Sequence, residues 1–104
     1  MKRTYLVVFE KGNDSWSSFA PDVPGTGGLG DTFEDARQSL REGVGYMLED
    51  CIERGIPLPE AKSTSVDFSE FDPNPEQSHY EIEWLTVDIP ETPSQTGHRA
   101  TQAA

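Results

Sequence analysis

One segment of this 104-residue chain has the pattern of a long amphipathic helix, and it limits the folds that are open to the rest. Thr32, followed three residues later by Asp35, resembles a capping box, and Gly55 before Pro57 is typical of a helix end. The sequence therefore predicts a helix from about Phe33 to Arg54, with one apolar face that a second layer must cover. The residues of that face recur at steps of three and four: Phe33, Ala36, Leu40, Val44, Met47, Leu48, Cys51 and Ile52.

Three small residues within this helix, Gly43, Gly45 and Cys51, allow predictions about how the helix packs. Gly43 and Gly45 each cost up to about 1 kcal/mol relative to alanine. Such a cost suggests a close contact at these positions, and we expect that contact to be with the sheet beneath the helix. Cys51, the single cysteine, lies on the apolar face and is interpreted as a small core residue.

Before the helix, the sequence predicts two strands joined as a hairpin. The segment TYLVVFE, residues 4–10, is short and rich in β-branched and aromatic residues, which is typical of a strand covered on both faces. KGND, residues 11–14, supplies a turn. SWSSFAP, residues 15–21, supplies the second strand, with Trp16 facing the core. The glycine-rich segment that follows can hold a third short strand.

After the helix, STSVDF at residues 63–68 is a candidate short strand. HYEIEWLTVDIP, residues 79–90, alternates apolar and acidic residues, which is typical of a half-buried strand. We expect Glu81 and Glu83 to face solvent, while the apolar residues of the first half face the core: Tyr80, Ile82 and Trp84. From Leu85 onward the alternation changes phase, which suggests a bulge or burial on both faces.

This order of elements, ββ(β)αβ, predicts an α+β domain over residues 1–90. Its architecture is a small antiparallel-rich sheet of three to five strands with one long helix packed on one face. Residues 91–104 contain no Leu, Ile, Val or aromatic residue, so we expect a disordered C-terminal tail there.

The segment GTGGLG, residues 25–30, formally matches the dinucleotide-binding fingerprint. In that motif the first glycine leaves a buried parallel strand and the third lies inside the helix, whereas here Pro24 comes first and Gly30 precedes the cap. The helix start also carries acids that would repel a pyrophosphate: Asp31, Glu34 and Asp35. We therefore interpret the glycines as turn residues that supply positive φ angles.

The sequence indicates no catalysis, cofactor or metal. The hydroxyls of Ser15, Ser17 and Ser18 lie near no predicted histidine base. His79 and His98 are far apart, and one cysteine cannot form a cysteine-rich metal site. The chain shows no signal peptide and no apolar run long enough to span a membrane. We expect a cytoplasmic protein that is not an enzyme and binds no cofactor, metal or membrane.

The formal charge of −11 disfavours direct binding to nucleic acid and favours basic partners. Between Lys62 and Arg99 the chain has no lysine or arginine and eight acids, among them Glu81 and Glu83. These acids form either a solvated face, as charge runs usually do, or an acidic docking surface for a cationic protein.

Residues 17–63 resemble the HicB-like antitoxin family of bacterial toxin–antitoxin systems. The features that carry the resemblance are the segment PDVPG at residues 21–25, the helix start Gly30-Asp31-Thr32, the pair Asp35-Ala36 in the first turn, and GIPLPEA at residues 55–61. Their order and spacing together are fairly specific, and the likeness extends over roughly the first 90 residues.

The resemblance implies a partial ribonuclease-H-like fold without that fold's catalytic carboxylates. It also implies that the chain neutralises a small basic, mRNA-cleaving toxin of the HicA type by masking its active site, and that it forms dimers or tetramers. Many members carry a C-terminal DNA-binding domain, and after Pro90 this sequence has no apolar periodicity and only Arg99 as a base. Binding of an operator by this chain alone is therefore not expected.

Two hypotheses stand beside this one: a solitary homo-oligomeric scaffold or regulatory adaptor, and a degenerate nuclease or nucleotide-binding protein. For a partner-binding surface the sequence offers three groups of exposed residues: Ser15 and Ser17 on the second strand; Asp31, Glu34 and Asp35 at the helix start; and Glu81 and Glu83 on the last strand. Trp16 and Trp84 are interpreted as core residues. An edge strand left open in the sheet would be the natural site of self-association.

Overall fold

The computed structural model describes residues 1–90. One helix packs on a four-stranded antiparallel sheet with strand order β3-β2-β1-β4. The elements are β1 (Lys2–Lys11), β2 (Trp16–Phe19), β3 (Gly28–Gly30), α1 (Phe33–Arg54), two short 3-10 helices (Phe68–Glu70 and Pro75–Gln77) and β4 (His79–Asp88). The predicted α+β class, the hairpin and the third short strand are confirmed. The expected tail, 91–104, lies outside the described residues.

The central strand β1 is covered on both faces, as its sequence predicts. Tyr5, Val7 and Phe9 belong to the core beneath α1, and Leu6 and Val8 are buried on the other face of the sheet. Because successive side chains of a strand point to opposite faces, the apolar run of β1 requires a cover on each side.

Helix α1 has the predicted bounds and the predicted caps. The hydroxyl of Thr32 accepts a hydrogen bond of 3.1 Å from the backbone N–H of Asp35, and Gly55 ends the helix in the left-handed region with φ of 69°. The predicted apolar face is buried or packed against the core, and Cys51 is a buried free thiol. The cap residues therefore fix the helix ends locally, while the apolar stripe fixes the face that meets the sheet.

The glycines before the helix serve close packing more than turning. Within residues 25–30 only Gly25 has a positive φ, of 84°, so the turn interpretation is wrong for the others. A Cβ at Gly28 would lie 2.5 Å from the Ser18 hydroxyl and 2.7 Å from the carbonyl oxygen of Ala36. Strand β3 therefore lies directly against α1, at a separation that only glycine permits.

The glycines inside α1 do not have the expected close contact. A Cβ at Gly43 would lie 3.6 Å from the carbonyl oxygen of Gly27, and one at Gly45 would lie 3.4 Å from Val87 Cγ1. Both distances are ordinary van der Waals contacts, so the sheet leaves room for a methyl group at these positions.

The segment between α1 and β4 forms no strand, so the prediction of one at 63–68 is wrong. Asp22, which is buried, holds the start of this segment. Its carboxylate accepts bonds from the backbone N–H of Lys62 at 2.9 Å, and from the backbone N–H and the hydroxyl of Ser63, each at 2.7 Å. These bonds satisfy the backbone groups that a strand partner would otherwise pair.

Aromatic side chains of the same segment cover part of the sheet face opposite α1. Phe68 stacks on Tyr80 with ring centroids 4.2 Å apart, and Phe71 meets Phe19 edge-on at 5.4 Å. The hydroxyl of Tyr80 also donates to Asp72 at 2.6 Å, which raises the pKa of Tyr80 to about 12.

Strand β4 pairs with β1 in one unbroken register, from Lys2 opposite Asp88 to Lys11 opposite His79. The bulge suggested by the change of phase is therefore absent from this ladder. Leu85 and Val87 are buried on the helix side, but Ile82 and Trp84 lie on the opposite face and are 45% and 54% exposed. The expectation that Trp84 is a core residue is wrong, because the covering segment reaches only as far along β4 as Tyr80.

We predict that Gly28→Ala destabilises the protein and that Gly43→Ala does not. The new methyl group at position 28 would overlap backbone atoms of α1, and overpacking of this kind costs typically about 1–3 kcal/mol. At position 43 the methyl group has space, and alanine is favoured in a helix by up to about 1 kcal/mol. Urea unfolding of both variants measures the difference, and equal stabilities would contradict the proposed contact between β3 and α1.

We also predict an acid-dependent contribution from Asp22. Burial alone would raise the pKa of its carboxyl, but the hydrogen bonds from Ser63 and Lys62 outweigh burial and hold the pKa below its usual value. Because the folded pKa lies below the unfolded one, the contribution is present above about pH 4 and is lost as the pH falls through the folded pKa. Asp22→Asn should therefore be less stable than wild type near pH 7, by a margin that shrinks on acidification.

Unfolding of both proteins in urea at several pH values measures that margin. Ser63→Ala, which removes only one of the three donors, should lose part of the same stability. A margin that stays constant from neutral pH to about pH 2 would contradict the assignment.

Candidate protein-binding surfaces

One end of the sheet gathers most of the candidate residues. The strand register places Gly30, Trp16, Lys11 and His79 in a single row across β3, β2, β1 and β4. Helix α1 begins above this row, because Phe33 packs on Trp16 with ring centroids 5.2 Å apart. We call this region the acidic end and define it by five residues: Asp31, Glu34, Asp35, Glu81 and Glu83.

The acids of β4 point toward the helix layer, contrary to the expectation of a separate solvent face. Glu83 is half-buried and accepts a hydrogen bond of 2.7 Å from Arg37 Nε. This bond is the main reason that the pKa of Arg37 is raised. Glu81 lies 2.7 Å from His79 Nε2, a pair that is ionic only when the imidazole is protonated. Glu83 is thus paired with a permanent cation within the fold, whereas the partner of Glu81 is a histidine.

The acids at the helix start are exposed. Asp31 follows β3 directly, and Glu34 and Asp35 lie in the first turn of α1. Negative charge there is favoured by the helix dipole, by typically 0.3–1 kcal/mol for each acid at about this exposure. The fold therefore keeps this cluster of like charges at low cost.

The two serines are not brought together on one face. Ser15 is exposed in the turn before β2 rather than on the strand. Ser17 is half-buried opposite Glu10 and Leu29, on the sheet face that points away from α1. Trp16 lies between them and packs against the core, as expected.

The fold also has two exposed features that the sequence reading missed. Ile82 and Trp84 form an apolar patch on β4, an edge strand of the sheet. An open groove runs between residues 25–27 and α1, beside Tyr46, which is 75% exposed. Neither is evident from the sequence, because periodicity shows which residues share a face but not whether that face is covered.

The glycine segment lacks the setting of a dinucleotide site. Strand β3 is antiparallel to β2, whereas the fingerprint requires a parallel strand that leads into the helix. Among residues 1–90, no group of three or more His, Cys, Asp or Glu side chains is arranged to hold a metal ion. No helix in the same range is long and apolar enough to cross a membrane.

Comparison with protein families identifies the domain. The family described as "HicB_like antitoxin of bacterial toxin-antitoxin system" matches residues 5–100, nearly the whole chain. The chain belongs to the HicB-like antitoxin family. The resemblance seen in residues 17–63 is therefore confirmed.

Sequence relatives of this HicB-like chain include a phage protein and a cyanobacterial protein. The first, a 14.9 kDa protein from the rep-hol intergenic region of Haemophilus phage HP1, is 29% identical over 85 residues, which are 82% of this chain and 61% of the phage protein. The second, a UPF0150 protein of Synechocystis, is 33% identical over 61 residues, 55% of this chain and 85% of its own length. The chain thus spans less than two thirds of the phage relative.

Solved structures with a similar fold come from toxin–antitoxin systems. A toxin–antitoxin complex from Streptococcus pneumoniae matches with a TM-score of 0.67 at 17% identity, over 99% of this chain and 88% of the other. The N-terminal domain of the Burkholderia pseudomallei antitoxin HicB matches with a TM-score of 0.55 at 24% identity, over 84% of this chain and all of the other. A complex of HicA3 and HicB3 matches with a TM-score of 0.53 at 23% identity, over 85% of this chain and 99% of the other. At these identities the likeness shows the fold.

We predict that the Arg37–Glu83 pair stabilises the domain only modestly. Both side chains are about one-third exposed, and ion pairs at such exposure contribute roughly 0.2–1 kcal/mol. A double-mutant cycle with Arg37→Gln and Glu83→Gln, followed by urea unfolding, measures the coupling. The more exposed pair Arg54 and Asp50 provides the comparison and should couple less strongly. A larger coupling energy between Arg54 and Asp50 than between Arg37 and Glu83 would contradict this prediction.

Proposed function

We propose that this chain is the antitoxin of a toxin–antitoxin pair and neutralises a small basic, mRNA-cleaving toxin of the HicA type. Family membership supports an antitoxin role, and two of the similar structures are complexes of an antitoxin with its toxin. The proposed action takes place in the cytoplasm, where mRNA is translated. It involves masking of the toxin's active site and no chemistry by this chain.

The observation that carries the proposal is the distribution of exposed carboxylates toward one end of the sheet. They come from Asp31, which directly follows β3, from the first turn of α1 and from the first half of β4, and the row from Gly30 to His79 connects these elements across the sheet. Complementary charge raises the rate of encounter and excludes partners of like charge. A nuclease that binds RNA needs a positive surface, so an acidic surface of this kind competes for the same site.

The acidic end is also preorganised for binding. Trp16 lies between Phe33 and His79, with ring centroids 5.2 and 5.8 Å away, and so links the helix start to the start of β4. Carboxylates held by a helix and a sheet lose less conformational freedom on binding than carboxylates on a loop. We propose that Asp31, Glu34, Asp35 and Glu81 provide the charge of the surface, with Ser15 at its border.

Glu83 and Ser17 have lesser roles in this proposal. Glu83 is already paired with Arg37, so its contribution is to hold that cation away from the partner. Ser17 lies on the other face of the sheet, so a partner would contact it only by extending around the turn before β2. The net charge of −11 further supports the proposal that this domain does not itself bind nucleic acid.

We predict that reversing two charges at the acidic end weakens toxin binding. The double variant Glu34→Lys/Glu81→Lys removes exposed carboxylates without unpairing Arg37. The matched control, Glu70→Lys/Glu76→Lys, changes the net charge equally but places the new lysines on the exposed segment that follows α1. The partner is the small basic protein encoded beside this chain's gene, in a catalytically inactive form.

Surface plasmon resonance at two salt concentrations measures the association rate and affinity. The acidic-end variant should associate at least about tenfold more slowly at low salt, and the control should remain close to wild type. If both variants associate equally slowly, the effect depends on net charge alone, and the proposal that the acidic end is the binding surface is contradicted. Absence of any basic neighbour that binds would favour the alternative of a solitary, homo-oligomeric domain.

A further inference from the structure

The backbone of β4 presents unpaired hydrogen-bonding groups along the edge of the sheet. Met1 and Ile89 exchange two hydrogen bonds, of 2.9 and 2.8 Å, so the backbone N–H and C=O groups of Ile89 point toward the chain of β1. In an antiparallel ladder such residues alternate with residues whose N–H and C=O groups point away. The bond of 2.6 Å from Arg41 Nη1 to the carbonyl of Thr86 agrees with this alternation. The outward-pointing residues are Tyr80, Ile82, Trp84, Thr86 and Asp88.

This edge lacks several of the features that usually prevent strands from pairing, although it carries three acids and Arg41 reaches it from α1. Edge strands are commonly short, bulged, or interrupted by proline or lysine. Strand β4 has ten residues in unbroken register and contains neither proline nor lysine. Arg41 occupies one outward carbonyl, and the outward groups of Ile82 and Trp84 have no partner among residues 1–90. The opposite edge, β3, has only three residues.

The exposed apolar side chains lie at the same place. Ile82 and Trp84 carry outward backbone groups and are also about half exposed. Their neighbours across the β1–β4 ladder, Val8 and Leu6, are fully or almost fully buried on the same face. A strand added at this edge would satisfy the backbone groups and extend the apolar face in one step.

We propose that β4 pairs antiparallel with β4 of a second copy of this chain, about a two-fold axis at Trp84. In this register Trp84 lies opposite the second copy's Trp84, Ile82 lies opposite its Thr86, and Tyr80 lies opposite its Asp88. All of these are outward-pointing residues, and the carbonyl oxygen of Thr86, which has two lone pairs, then accepts from Ile82 of the second copy as well as from Arg41. The two four-stranded sheets then form one continuous sheet, with both α1 helices on the same side.

The charges of β4 select this register over its neighbours. With the axis at Trp84, Glu83 lies opposite Leu85 and Glu81 lies opposite Val87, so no acid faces another. An axis at Glu83 places the two copies of that residue against each other, and an axis at Ile82 places Glu81 against Glu83. Like charges directly opposite each other destabilise a strand pair.

An axis at Leu85 also separates the acids, but it sets Ile82 against Asp88 and shortens the ladder. The strand is thus self-complementary about Trp84, which is the requirement for an interface that two identical copies share. A strand from an unrelated protein has no such constraint, and for this reason we assign the edge to a second copy.

The dimer and the proposed toxin complex differ in their response to salt. Two copies each with a charge of −11 repel, so salt should strengthen the dimer, whereas salt should weaken binding to a basic toxin. The two-fold axis also directs the two helix starts away from each other, while Glu83 of each copy lies beside the axis. The dimer is therefore compatible with the proposed function but does not depend on it.

Sedimentation equilibrium of the purified full chain alone tests the dimer, over a range of protein concentrations at low and high salt. Wild type should be dimeric, with a lower dissociation constant at high salt. Trp84→Glu and the uncharged Trp84→Ser should each weaken the dimer at least about tenfold, as expected for the loss of a central aromatic residue. Tyr46→Glu is the matched control for the first variant, because it replaces another exposed aromatic residue with the same charge, and it should remain dimeric.

Cysteine cross-linking tests the register. In a Cys51→Ser background, Ile82→Cys mixed with Thr86→Cys should form a disulfide between the two variants, since opposed residues of an antiparallel pair lie at a distance that a disulfide spans. Neither variant alone should cross-link. Cross-linking of Ile82→Cys with itself would overturn the register. A monomer at every concentration and salt, or a dimer that withstands both Trp84 variants, would overturn the interface.

Discussion

The close contact between β3 and α1 determines the arrangement of the rest of the domain. Gly28 allows the strand to lie against the helix backbone, and the buried hydroxyl of Ser18 donates a 3.0 Å hydrogen bond to the carbonyl oxygen of Ala36 across the same contact. With the helix start fixed there, its apolar stripe lies over β1, and Arg37 of the helix reaches Glu83 of β4. The position of the acidic end is thus a consequence of backbone packing.

The parts of the fold that could be predicted from the sequence depend on local interactions. The bounds of α1 follow from Thr32, Asp35 and Gly55, whose capping bonds involve neighbours within a few residues. The coverage of β1 on both faces follows from its unbroken apolar run. The family resemblance in residues 17–63 comes from the same local features, because it consists of a turn, a helix start and a helix exit.

The parts that could not be predicted depend on distant contacts. Alternation in β4 separates Glu81 and Glu83 from Ile82 and Trp84, but it does not show which face lies under the helix. That choice follows the burial of Leu85 and Val87, which share a face with Glu81 and Glu83, and on this face Glu83 meets Arg37, which is 46 residues before it in the chain. Residues 63–68 have the composition of a strand, yet Asp22 binds the backbone at their start, and its role is visible only in three dimensions. The candidate surface was therefore predicted as separate groups of residues and not as one end of the sheet.

The three hydrogen bonds at Asp22 also separate two parts of the domain that are held by different kinds of contact. They tie the chain back to residue 22 immediately after α1, so the layer that contains the helix is closed before the covering segment begins. The covering segment meets the opposite face of the sheet through a few aromatic contacts, to Phe19 and Tyr80, and has no strand of its own. Local opening follows such differences in contact density. We therefore expect the face opposite the helix to lose its cover before the helix leaves the sheet.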